Sequence, residues 1–372
     1  MAQPLRVSGA VRWPRVHWRG LAIRVAAVGV GVLVALALVE ALLRLLALSP
    51  ANGVVTVTDA EFRSLPGLLS PGQDLIDRRD ARLPHHVTTN GLGYRGADLP
   101  LRKEPGEFRV LFTGDSFAYG DFVDDELTLP ALLEQRLRGW CGNVRVVNAG
   151  VDNFTIVDEA RMIDRGLVVD PDLVLVQFSE NDVADLDRIS SWDHLARNRR
   201  DKSRFPLSVA YPILRRTALW NFLLKVVAAS RDRAQPQPTN GFAASGEDTT
   251  THRLREAYRR ALLAVRDSLA PRHIPLVLVI YPSHFNVTES QKRGQIEWLA
   301  KTAAAAGVPA VNLLVPLVAS GLSSRTLYLL PYDGHPSARG YGIAAPYLAA
   351  QLATLAPLRG RCGGSAARKD LN

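Results

Sequence analysis

A short stretch, residues 110–120, limits what this chain can become: VLFTGDSFAYG. Its apolar run, Val110 to Phe112, breaks at Gly114-Asp115-Ser116 and gives way to Leu127, Ala131, Leu132, Leu133 and Leu137, spaced with a helical rhythm. The segment therefore reads as strand, tight turn, helix. Ser116 falls at the carboxyl end of a buried strand and near a helix N-terminus, where outward N–H groups favour developing negative charge. A serine after Gly-Asp is often no more than a turn or N-cap residue, so its company downstream decides. Leu173–Phe178 reads as a second buried strand, ending at Ser179-Glu180-Asn181-Asp182, and residues 275–281 as a third. Tyr332-Asp333-Gly334-His335 then precedes an apolar helical run to about residue 355. A serine, an asparagine and an Asp-x-His supply what acyl transfer needs: nucleophile, oxyanion donor, and base with its orienting carboxylate.

These blocks, in this order, resemble the SGNH (GDSL-like) hydrolase family over residues 106–356. The resemblance implies an α/β fold: a flavodoxin-like three-layer sandwich with a parallel five-stranded sheet, preceded here by an N-terminal transmembrane helix. It implies Ser116 as nucleophile, His335 as general base, Asp333 as the acid that orients it, and no cofactor. The oxyanion would be received by the backbone N–H groups of Ser116 and Asn153 and the amide of Asn181, with Gly150 as the alternative donor if the loop is shifted by three. Relatives usually carry glycine where this chain has Asn153. Asparagine tolerates φ > 0 better than most residues, but its side chain intrudes where glycine leaves room. Relatives often place two residues between acid and histidine; here Gly334 alone intervenes, and its freedom lets Asp333 turn toward the ring. Residues 90–96, NGLGYRG, are similar to a stretch preceding the domain in membrane-anchored relatives; by physics alone they are a turn.

The implied activity is hydrolysis or transfer of a short acyl group on a carbohydrate or lipid ester, with a small-molecule or glycan ester as partner. The alternatives are an O-acetyltransferase of an exported polysaccharide, a binder of phosphate-bearing ligands that does not need His335, or a scaffold.

The N-terminal 24 residues carry Arg6, Arg12, Arg15, Arg19 and Arg24 and no acid, and residues 25–48 are apolar apart from Glu40 and Arg44, which stand i, i+4. A span needs about 20 residues, and the basic flank predicts a single pass with a cytoplasmic N-terminus and an extracytoplasmic domain. A cleaved signal peptide is the other reading, although no small-residue cleavage site follows. Residues 49–105, rich in proline, read as a linker or an irregular lead-in packed on the domain. The domain spans 106–358, with further strands at 144–147 and 308–314, helices at 159–167 and 253–269, and a tail at 359–372. An insertion at 185–250 contains a helix over 211–229, rich in large apolar residues such as Leu219, Trp220 and Phe222, which either covers the site or extends the core. Its continuation, 235–251, reads as a loop.

The net charge of +9 is in part a targeting charge. Arg197, Arg199, Arg200, Lys202 and Arg204 form either a solvated face or a contact for anionic lipid or polysaccharide. Nothing resembles a nucleic-acid-binding module. Of eight histidines, His335 alone combines a late loop, a nearby acid and a following apolar helix; adjacent His85 and His86 read as surface residues, and no spacing suggests a metal. Two cysteines, Cys141 and Cys362, exclude a disulfide framework or zinc site. In a flavodoxin-like sheet ordered 2-1-3-4-5, the helices preceding them lie side by side, so a single bridge is expected in an oxidising compartment.

Overall fold

The computed structural model describes residues 18–46, 64–80, 82–187, 190–214, 217–234 and 249–362. Three strands are apolar enough to be buried on both faces: β3 (Phe108–Thr113), β5 (Leu173–Phe178) and β6 (Leu276–Ile280). With β4 (Val144–Asn148) and β7 (Ala310–Asn312) they form a parallel sheet in the order β4-β3-β5-β6-β7. Counted within the sheet this is 2-1-3-4-5, the doubly wound order, which opens a crevice at the carboxyl ends where the winding reverses beside β3.

Helices α3 (Leu129–Cys141) and α10 (Ala338–Thr354) pack on one face through Leu133, Leu137, Ala345 and Leu348. On the other face lie α4 (Ile156–Gly166), α8 (Thr249–Leu269) and α9 (Gly294–Ala305), through Met162, Leu262 and Leu299. Two cores thus sandwich one sheet. Helix starts follow local chemistry: Thr128 caps α3 with Pro130 in its first turn, Thr155 and Asp158 form a capping box on α4, and Ser337 accepts from Gly340 N–H on α10. The Cys141–Cys362 disulfide joins the end of α3 to the chain beyond α10.

Three sequence expectations change. Of the two readings of the lead-in the packed one holds, but it is not irregular: β1 (Asp74–Asp77) and β2 (His85–Thr88) form an antiparallel hairpin bonded to Asp124 and Asp125 of the domain. His85 is not a surface residue; it is 3% exposed while His86 reaches Asp74, because neighbours on a strand face opposite sides. Among its described residues the insertion holds three helices rather than one: α5 (Ser191–Lys202), α6 (Leu207–Leu214) and α7 (Ala218–Ala234). The apolar run breaks at Thr217, whose hydroxyl bonds to the carbonyl of Leu214 and accepts from Trp220 N–H. Of the loop expected at 235–251, residues 235–248 lie outside the described residues, and 249–251 already belong to α8.

Helix α1 (Trp18–Leu45) projects from the domain, and its apolar portion, Ala22–Leu45, has none of its most apolar window buried. Glu40 and Arg44 pair on it at 2.7 Å.

Candidate active site

The site begins where β3 runs out. Gly114 leaves the strand where a Cβ would collide with Ala118 and Gln177, so only glycine lets the chain turn this tightly. Asp115 then caps the short helix α2 (Ser116–Tyr119), accepting from Phe117 N–H, and Ser116 becomes its first residue. The N–H groups of a first helical turn have no intrahelical acceptor, which leaves the N–H of Ser116 available to a ligand oxygen. Tyr341 from α10 pins the turn by donating to the carbonyl of Phe117 at 2.8 Å.

His335 arrives from the loop before α10. The Ser116 hydroxyl lies 2.8 Å from its Nε2, and Asp333 bonds its Nδ1. The short Asp-x-His spacing closes differently from the expected way. Gly334 is not among the residues with positive φ. Instead Asp333 Oδ1 also accepts the backbone N–H of His335 at 2.8 Å, so an Asx-type turn carries the carboxylate back onto its own histidine. Burial opposes the imidazolium, but the hydrogen bond to Asp333 and the charges of Asp121, Asp333 and Asp115 outweigh it and raise the affinity of His335 for a proton. Burial would likewise raise Asp333, yet its bonds to His335 hold it below the usual carboxylate range. Serine, imidazole and carboxylate thus form one hydrogen-bonded line, able to take a proton from Ser116 and stabilise the resulting imidazolium.

The other expected donors stand differently. Asn153 adopts φ +60°, the left-handed backbone that glycine would take, with its carbonyl accepting from Ser191 of α5. A cleft of about 340 Å³ lies beside it, bounded also by Val157, Asp185 and His194. The Asn181 amide donates to Asp185 at 2.9 Å and its carbonyl accepts from Ser179 at 2.6 Å; an amide has two hydrogens, so one remains. The Gly150 N–H donates to Asn148 Oδ1 at 3.1 Å, which commits it to its own turn and removes the alternative donor. Beneath the loop, burial raises Asp115, and raises Asp182 and Glu159 well above the carboxylate range.

Four residues escaped sequence reading. Arg95, 4% exposed, sends its guanidinium under the turn after α2, bonding Asp125 and the carbonyls of Tyr119, Gly120 and Val123. That turn carries Asp121, whose carboxylate lies 4.0 Å from His335 Nε2, and Phe122, whose ring stands edge-on to His335 at 5.4 Å. Phe122 holds φ +65°, unusual for a bulky residue, and such strain gathers at functional sites. Arg79, from the hairpin, pairs with Asp77 and Asp121 and covers the Phe122 ring. The NGLGYRG stretch was the one signal available, since it contains Arg95.

Asp121 gives a pH test. A general base must be neutral, and a raised His335 stays protonated to higher pH, so the acid limb of kcat/KM should lie above the ordinary imidazole value of about 6.5. Asp121→Asn removes one charge holding that proton. The limb is expected to move to lower pH, read from kcat/KM profiles of the two proteins.

The family model for GDSL-like lipase/acylhydrolases matches residues 112–343, and the chain belongs to that family. It is therefore an enzyme of the ester-hydrolysing class. No curated protein sequence matches it. Solved structures similar to it include an acetylxylan esterase from Geobacillus stearothermophilus (16% identity, 68% of this chain and 97% of that one, TM-score 0.40). Another is a member of the lipolytic G-D-S-L family from Veillonella parvula DSM 2008 (12% identity, 67% and 100%, TM-score 0.40).

Proposed function

We propose that this chain is a membrane-anchored, extracytoplasmic serine esterase acting on short acyl esters of carbohydrate or lipid. Ser116 attacks the ester carbonyl, and His335 takes its proton and returns it to the leaving alcohol. Asp333 holds the tautomer and stabilises the imidazolium. The oxyanion is received by the N–H groups of Ser116 and Asn153 and by the free amide hydrogen of Asn181. The observation that carries this reading is the unbroken line from Ser116 through His335 to Asp333 at the carboxyl end of β3. Export is supported by the bare apolar span of α1 behind a run of arginines, and by a disulfide, which persists in oxidising compartments.

The test is hydrolysis of p-nitrophenyl acetate against longer acyl esters by the purified protein, with Ser116→Ala as control. Acetate preference lost in the variant is expected; equal turnover by wild type and variant would refute the reading. Asn181→Ala should fold normally and lose about a hundredfold in kcat, since one oxyanion donor is worth about 3 kcal/mol.

A further inference from the structure

The catalytic line leaves α6 and α7 without a task, and their surface is out of keeping with water. Phe205 just before α6 is 85% exposed, Val209 and Ile213 on it are 64% and 66% exposed, and on α7 Leu223 and Leu224 are each 48% and Val227 45% exposed. Apolar side chains scattered singly need no explanation, whereas this many large exposed ones on two successive helices mark an interaction surface. The second of these helices, α7, also touches α1. Glu40 of α1 accepts the backbone N–H groups of Ala218 and Leu219 at 2.8 and 2.9 Å, capping α7, and Leu43 and Ala218 are both buried. Glu40 lies in the last turns of an apolar segment that runs Ala22–Leu45, so α7 starts at the level where α1 leaves its apolar stretch on the domain side.

We infer that α6 and α7 are a second lipid contact, lying in the membrane–water interface beside α1. The inference rests on reading α1 as the anchor, and the lipid surface is the occupant because α7, which carries part of the exposed apolar surface, starts against that anchor. Length agrees: α7 has 17 residues, about 26 Å as a helix, short of the roughly 30 Å hydrocarbon core, and its sequence turns polar after Ala229. It lies along the surface and does not cross. The approach from α5 carries exposed Arg197, Arg200 and Arg204 with half-buried Lys202, against exposed Asp193 and Asp201. That net positive flank suits anionic headgroups. Because Ser191 of α5 holds the carbonyl of Asn153, the contact would seat the cleft close to the bilayer, within reach of acyl esters presented there.

Labelling depth tests this. The two native cysteines are bonded to each other, so one introduced cysteine is the sole free thiol. Full-length protein carrying bimane at Leu36→Cys in α1, Ile213→Cys, Leu224→Cys, or Val318→Cys on the catalytic domain is reconstituted into vesicles of equal phosphatidylcholine and phosphatidylglycerol. Nitroxide-labelled lipids then quench. Quenching at 213 and 224 several-fold above that at 318, together with quenching at 36, is the expected result. Quenching at 36 with 213 and 224 no different from 318 overturns the lipid contact and leaves the anchor standing. Absence of quenching at 36 removes the anchor and this inference with it. Emission at 224 that follows protein-to-lipid ratio rather than the quencher would assign the patch to a second copy of the chain and equally overturn the inference.

Discussion

Replacing His335 by alanine is expected to lower kcat for p-nitrophenyl acetate by about 10⁴-fold or more, with KM little changed. The argument is one of proton placement. Ser116 is a weak nucleophile until a base removes its proton, and the only imidazole bonded to it among the described residues is His335, at 2.8 Å. Ser116→Ala should cost a comparable factor. The double variant should be no slower than either single one, because the residues act as a unit and the second loss removes nothing the first left behind. Asp333→Asn is expected to fall short of these effects yet exceed a hundredfold, since an amide cannot stabilise the imidazolium and favours the wrong tautomer. Steady-state kinetics on the four variants, each checked for native circular dichroism, measure all of this. Additive losses would separate serine from histidine and dissolve the line of proton transfer.

What the sequence disclosed of this arrangement, and what it withheld, divides by the range of the interaction. The strand–turn–helix around Ser116 was legible because its causes are local: an apolar run, a glycine that must leave the strand, an aspartate that caps. The left-handed backbone at Asn153 followed from the resemblance, since relatives carry glycine there. The sheet order and the parallel strands followed from the family resemblance, and the structure has both. Arg95 and Arg79 were not legible. They reach partners 24 to 42 residues away in sequence through long side chains, and no periodicity records where a guanidinium ends. The hairpin was hidden by six prolines in residues 49–105, which punctuate without showing whether two short segments pair as strands. For the insertion the sequence showed large apolar residues but not their exposure, because an apolar helix facing lipid and one facing a core are alike in composition.

The hairpin changes how the site is understood. Asp121, close to the nucleophile's base, would repel a forming oxyanion if left alone. Arg79 balances it from the hairpin, and Arg95 fixes the turn on which it rides. The hairpin ahead of the domain thus forms part of the surroundings of Ser116 and His335.

Cutting the Cys141–Cys362 bridge, by Cys141→Ala with Cys362→Ala, is expected to lower unfolding stability by about 2–5 kcal/mol while leaving kcat at low temperature unchanged. The size follows from the loop: the bridge spans 221 residues, and closing so long a loop removes unfolded-chain entropy worth on the order of 5 kcal/mol. The selectivity follows from geometry. Helix α3 runs back against its strand, so Cys141 ends near the beginning of β3. Arg361 accordingly bonds the carbonyl of Gly106 and covers the ring of Phe108. Ser116 lies beyond the other end of that strand. Urea unfolding followed by tryptophan fluorescence should show a second sign. The uncrosslinked chain unfolds to a less compact ensemble, exposes more surface and raises the m-value, so the midpoint falls for two reasons at once. A loss of turnover equal to the loss of stability would mean instead that the two rims of the sheet are coupled, and that the bridge tensions the site it stands opposite.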